Sequence, residues 1–222
     1  AHVLGQLLHS GIAQIYEASV TDTRGGLQPY IVMEFVDGLP LIEHADAAAL
    51  EANQRLRLIA RVCDAVHHAH QKGVIHRDLK PSNILVAASP THAESEDTSV
   101  DVAFPDAIGQ PKVLDFGIAR VIDEDDKAIT VETDAGQLVG TLAYMSPEQV
   151  AGAGDIDTRS DVYALGVMTY ELLTGSRPLD VSGTSVADAA RIIQDKEPTR
   201  LGSHDRKLRG DVETIIGLSL IH

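Results

Sequence analysis

Three features of the sequence predict an α+β fold: two short runs rich in β-branched and aromatic residues near the N-terminus, a long amphipathic run over residues 50–71, and an apolar run over 160–174 that repeats at three and four. The portion before residue 45 reads as a hairpin preceded by a helix end, and helix dominates the portion after it.

Taken in order, Val3, Leu4, Leu7 and Leu8 have helical spacing that breaks at Ser10 and Gly11, so the chain opens inside the last turns of a helix. Residues 12–18 and 30–35 are the predicted strands, and residues 21–28 supply the turn between them. Over 50–71 the apolar positions Leu56, Ile59, Ala60, Cys63, Val66 and Ala69 define the buried face of a helix that stops at Gly73. Residues 84–86 and 112–114 are short strand-like runs. Between them, residues 88–110 are rich in Ala, Ser, Thr, Asp and Pro, the composition of a surface insertion. A long loop is expected after Asp115, with the acids Asp123, Glu124, Asp125 and Asp126, hydroxyls at Thr130 and Thr133, then Gly140-Thr141 and Ser146-Pro147-Glu148. Val162, Leu165, Met168, Leu172 and Leu173 mark a largely buried helix ended by Gly175, and residues 184–194 and 211–220 predict two more. No internal repeat is evident.

Composition bounds the function. With 33 Asp plus Glu against 18 Lys plus Arg, the net charge of −15 repels a phosphate backbone. Aromatic residues make up 4% with no Trp, so base-stacking platforms are not indicated and no nucleic-acid partner is expected. The single cysteine, Cys63, excludes an internal disulfide, fits a reducing compartment, and reads as a small buried hydrophobe. No apolar run is long enough to cross a bilayer, and the first residues lack the basic and apolar regions of a signal peptide, so a soluble, cytoplasmic chain is expected.

The chemistry concentrates in two places. Residues 76–83 read His76-Arg77-Asp78-Leu79-Lys80-Pro81-Ser82-Asn83, and Asp115-Phe116-Gly117 lies downstream. Moving a phosphoryl group from a nucleotide to a hydroxyl needs positioning and charge neutralisation more than covalent help. Two oxygen-bearing side chains must hold Mg²⁺, which prefers hard oxygen ligands, and a separate carboxylate must face the hydroxyl. Asn83 and Asp115 suit the metal, and Asp78 suits the hydroxyl. Taken singly these are turn and capping residue types; their joint spacing favours the functional reading. His67, His68, His70 and His76 are scattered around a helix and the loop after it, which argues against a zinc site and for a structural His76 under the loop.

Taken together these residues resemble the eukaryotic-type protein kinase family, in its bacterial serine/threonine branch. The resemblance runs over nearly the whole chain in the family's order: Met33-Glu34-Phe35-Val36, residues 76–83, Asp115-Phe116-Gly117, Gly140-Thr141, Ser146-Pro147-Glu148, and Asp161 opening a buried helix. It implies a protein-kinase-like fold, with a partial N-terminal lobe and hinge over 1–36 and a mostly helical C-terminal lobe over 37–222. That lobe would carry the insertion at about 88–110 and an activation segment over 115–148. It implies ATP and Mg²⁺ as cofactors and a protein substrate with a Ser or Thr acceptor. Asp78 is then the base that accepts or orients the hydroxyl proton, Lys80 balances charge on the γ-phosphoryl, and Asn83 and Asp115 hold the metal. Thr141 shapes the acceptor pocket, backbone groups of Glu34 and Val36 meet adenine with Met33 behind it, and Leu85 packs under the ring. Arg77 beside the base implies control by phosphorylation, with Thr130 and Thr133 as candidate sites. Asp161 is implied to bond the backbone of the loop holding Asp78, where a plain helix cap is the simpler reading.

The departures shape the expectation as well. No G-x-G-x-x-G precedes Met33, no strand carries a Val-Ala-x-Lys element, and Pro40 stands where many relatives hold ribose with an acid. The chain therefore reads as a fragment of a longer kinase, possessing little turnover by itself, whose parent could be membrane-anchored. Two other readings stay open: a pseudokinase-like binding module, and a small-molecule kinase of related fold. The intact Asp78, Asn83 and Asp115 speak against the first, and Lys80 with residues 140–148 against the second.

Overall fold

Strand β1 (Ile15–Thr23) and strand β2 (Gly26–Met33) form an antiparallel hairpin in the computed structural model, which describes residues 7–23, 26–87, 108–116, 140–153 and 156–221. The pairing runs down to Thr23 opposite Gly26, so most of the expected turn over 21–28 is strand. Thr21 and Thr23 are β-branched, and Gly26 at φ +106° accepts the reversal that residues with a Cβ disfavour.

The sequence reading passed over the first two elements after the hairpin. Strand β3 (Gly38–Pro40) leads directly into helix α1 (Leu41–Ala47), whose Leu41 and Ala45 are fully buried one turn apart. Strands β4 (Ile84–Ala87) and β5 (Gln110–Val113) complete an antiparallel sheet in the order β3-β4-β5, with Leu85 opposite both Pro40 and Lys112. Glycine is required at position 38, because a Cβ there would lie 2.5 Å from the Val86 carbonyl oxygen. Residues 88–107 of the expected insertion lie outside the described residues, and the chain rejoins the core at Ile108, which is buried. The segment before the hairpin is tied to the same sheet: Val113 N–H donates to the Gly11 carbonyl at 2.8 Å, and Ala13 N–H to the Val113 carbonyl at 2.9 Å.

Helix α2 (Ala52–Gln71) starts at a reciprocal capping box between Glu51 and Gln54 and ends before Gly73, which takes φ +73°. Its buried stripe is Leu58, Ile59, Val62, Ala65, Val66 and Ala69, rotated from the expected one. Ala60 and Cys63 are exposed, which corrects the reading of Cys63 as a core residue. Helix α2 carries apolar residues on more than half its circumference, and the position of the partner helix decides which of them the core covers.

That partner is helix α4 (Thr158–Thr174), capped by Asp157 and closed by Gly175 at φ +70°. Between them comes the short helix α3 (Pro147–Val150), inside the stretch expected to be loop. Leu58 and Val62 of α2 share one core with Met168 and Leu172 of α4 and with Ile84 and Val113 of the sheet. The opposite side of α4 buries Tyr163, Val167 and Tyr170 against Ile216 and Leu220, so the helix is covered nearly all round. Helix α5 (Val186–Asp195) packs Ala189 and Ile193 on Leu142 and Ala143, and helix α6 (Asp211–Ser219) supplies Ile216. Both fall within a residue or two of the predicted spans. Among the described residues, no helix is long and apolar enough to cross a membrane.

Candidate active site

Among the described residues, three non-glycine residues have positive φ, and two of them, Arg77 at +70° and Asp115 at +57°, flank this site. A side chain in that region costs about 1 kcal/mol or more and persists where its surroundings hold it. The holding is visible. Asp161, buried at the start of α4, accepts from Arg77 N–H at 2.8 Å through Oδ1 and from His76 N–H at 2.8 Å through Oδ2. His70, on the last turn of α2, lies 2.7 Å from the same Oδ2. Asp161 thus carries more than a helix cap would.

His76 is buried beneath the loop, stacked obliquely on Phe116 with ring centroids 4.8 Å apart. Burial pushes its pKa below the usual imidazole range, against the pull of Asp161, so the neutral ring is favoured. Its Nε2 is 2.8 Å from the Leu114 carbonyl and its Nδ1 accepts from Asp78 N–H at 3.3 Å. That arrangement assigns the proton to Nε2, since a carbonyl only accepts and an amide only donates. One imidazole therefore joins the residue before Asp115 to Asp78.

The Asp78 side chain is half exposed, and its Oδ2 lies 2.9 Å from Lys80 Nζ. Asn83, at the end of a 3₁₀ turn (Pro81–Asn83), donates through Nδ2 to the Asp78 carbonyl at 2.8 Å and to Oδ2 at 3.2 Å. With its nitrogen committed, the Asn83 amide turns its oxygen away from Asp78. The Asn83 backbone carbonyl also accepts from Leu114 N–H at 2.8 Å, just beyond the β4–β5 pairing, which brings the residue beside the exposed Asp115. Asp78, Lys80, Asn83 and Asp115 are therefore gathered at one end of the β4–β5 pair.

Thr141 and Asp78 line one narrow crevice with Arg77, Gln149 and Asp161. Thr141 and Lys80 also line a larger open cavity of about 720 Å³ that reaches Pro40, Glu43 and Glu171. Tyr144 on its wall donates to Glu171 at 2.6 Å, and burial together with that carboxylate drives the Tyr144 pKa far upward.

Residues 34–36 connect the hairpin to β3. Glu34 N–H donates to the Gln14 carbonyl at 2.7 Å, Val36 is buried, and Leu85 is half-buried at the centre of β4. The Glu34 carboxylate pairs with Lys112, and that bond holds its pKa below the usual carboxylate range. Sequence reading missed this pair and the His70 contact; the signal for Lys112 was strand alternation, which puts it on the face opposite the buried Pro111 and Val113. Gly117, Asp123 to Asp126, Thr130 and Thr133 lie outside the described residues.

A family described as the protein kinase domain matches residues 1–211. The serine/threonine-protein kinase PknB of Mycobacterium tuberculosis is 34% identical over 212 residues, 95% of this chain and 30% of the relative. The serine/threonine-protein kinase Pkn1 of Myxococcus xanthus is 37% identical over 198 residues, 89% of this chain and 25% of that protein. PknB of Mycobacterium leprae is 40% identical over 174 residues, 78% of this chain and 24% of its own length. The chain thus spans less than a third of the curated relatives it matches.

Proposed function

We propose, given that this chain belongs to the protein kinase domain family, that it carries the catalytic residues of a serine/threonine protein kinase acting on protein hydroxyls. The family uses ATP and a divalent metal in general. The observation that carries the reading is the hydrogen-bonded cluster of Asp78, Lys80 and Asn83 beside Asp115.

Each side chain has a task set by its chemistry. Asp78, half exposed and able to accept, orients the acceptor hydroxyl and takes its proton as the oxygen attacks. Lys80, within reach of Asp78, places a positive charge beside the transferring group. The donor set fits Mg²⁺: the exposed carboxylate at Asp115 and the amide oxygen of Asn83, whose nitrogen is turned to Asp78, are hard ligands, and both would hold the ion. When bound, Mg²⁺ and ATP supply the phosphoryl group and neutralise its charge. Thr141 borders both the crevice at Asp78 and the cavity at Lys80, and shapes the place where a Ser or Thr of the substrate enters. Among the described residues the Glu34 carbonyl and the Val36 amide take part in no backbone hydrogen bond, which leaves them to an adenine edge with Leu85 beneath it. The division at the connection after residue 36, into a hairpin part and a largely helical part, is proposed on the same grounds.

In the protein that carries this chain, incubation with γ-labelled ATP and a Ser/Thr-containing protein transfers label to the acceptor. Asp78→Asn lowers the transfer rate by about 10²–10⁴-fold. Undiminished transfer in that variant would move the base elsewhere.

A further inference from the structure

We infer that Gln149 is a positioning residue for Asp78, acting through the carbonyl of Arg77; what Asp78 does there rests on the kinase reading above. Arg77 needs support on both sides of its left-handed backbone. Its N–H is held by Asp161 of α4 at 2.8 Å, and its carbonyl accepts from Gln149 Nε2 of α3 at 2.6 Å. Two successive helices, through side chains 72 and 84 positions further along the chain, therefore grip one residue next to the proposed base.

The orientation of the Gln149 amide is fixed by its other end. Its Oε1 accepts from Ser146 N–H at 3.0 Å, with Ser146 Oγ 3.2 Å away, in the capping box of α3. A backbone N–H can only donate, so the oxygen must face Ser146 and the nitrogen must face Arg77.

The mechanical consequence comes from peptide planarity. The Arg77 carbonyl and the Asp78 N–H belong to one rigid unit, so pinning the oxygen also aims the amide of Asp78 toward His76 Nδ1, 3.3 Å away. Position errors of about 1 Å at a reacting group can cost about 10²-fold in rate. Gln149 belongs to the stretch that also carries Thr141, and both border the crevice at Asp78. The seating of that stretch and the aim of Asp78 are thereby one event.

Gln149→Glu isolates the contact, because it keeps an acceptor for the Ser146 cap and sets an oxygen against the Arg77 carbonyl. In the protein that carries this chain, Q149E is expected to lower kcat roughly 10-fold while the KM for the protein acceptor changes less than about 2-fold. Amide hydrogen exchange at residues 77–79 should quicken by about 10-fold with residues 186–195 unchanged. Gln149→Met, which removes the donor without adding charge, should move both readouts the same way by a smaller factor.

Wild-type kcat and wild-type exchange at 77–79 in both variants overturn the inference, as does a deficit confined to KM or exchange that quickens equally at 186–195. Asp78→Asn run alongside separates the two readings. If it retains full transfer, or if the wild-type protein transfers nothing, the kinase reading fails and the exchange data alone judge the clamp.

Discussion

Lys112 Nζ lies 2.7 Å from Glu34 Oε1 and 2.8 Å from Oε2, so strand β5 grips the connection between the hairpin and the rest of the chain by a bidentate charged contact. Gln14 N–H adds a third hydrogen bond to the carboxylate, at 3.2 Å. The pair is partly shielded from water, which raises its worth above that of a surface ion pair without the full desolvation cost of a buried one. Glu34→Gln and Lys112→Met, singly and combined, should give a coupling energy of about 1 kcal/mol in a double-mutant cycle read by urea unfolding. Additive effects would show that the contact does not hold the connection.

His76 makes stability depend on pH. Burial lowers its pKa in the folded chain, so below the ordinary imidazole value the unfolded chain binds the extra proton more readily. Its contribution is complete above the unfolded pKa of about 6.5 and is lost as the pH falls from there toward the depressed folded value. Glu34 works in the same direction at lower pH: its lowered carboxylate pKa gives stability that is present above the unfolded value and lost as the pH falls through the folded one. The urea midpoint should therefore drop between pH 7.5 and 5.5 in the wild type and drop less in His76→Gln. An equal drop in both would assign the dependence to other groups.

Asp161→Asn keeps the shape of the side chain and replaces one acceptor oxygen with a donor. Three donors converge on the buried carboxylate, from His76, Arg77 and His70, so at least one of them would face the new NH₂ group. The expected loss is about 3 kcal/mol of stability, with faster amide exchange at residues 76–78. A change below about 0.5 kcal/mol would return Asp161 to the role of an ordinary cap.

Helices α2, α4, α5 and α6 were legible because their ends or apolar faces are marked locally in the sequence. Gly73 and Gly175 stop α2 and α4 in the left-handed conformation, and the apolar spacing of residues 160–174 reported a helix that is indeed buried. The stripe on α2 was misread by about one position, since Leu58 and Val62 are buried in the core shared with α4 and the sheet whereas Ala60 and Cys63 are exposed. Strand β3 and helix α1 escaped notice because Gly38 and Pro40 are residue types depleted in strands; only contact with Val86 makes glycine the requirement there.

By itself the sequence determined which residue types are available for the proposed phosphoryl transfer and their order, because the spacing of Asp78, Lys80, Asn83 and Asp115 along the chain is what singles them out. Tertiary structure decided how they are aimed. The grip of Asp161 and Gln149 on Arg77, the His76 bridge to Leu114 and the Glu34–Lys112 pair all join positions far apart in the chain. Hydrogen bonds and buried charges depend on distance and orientation in space, and local periodicity carries no information about either.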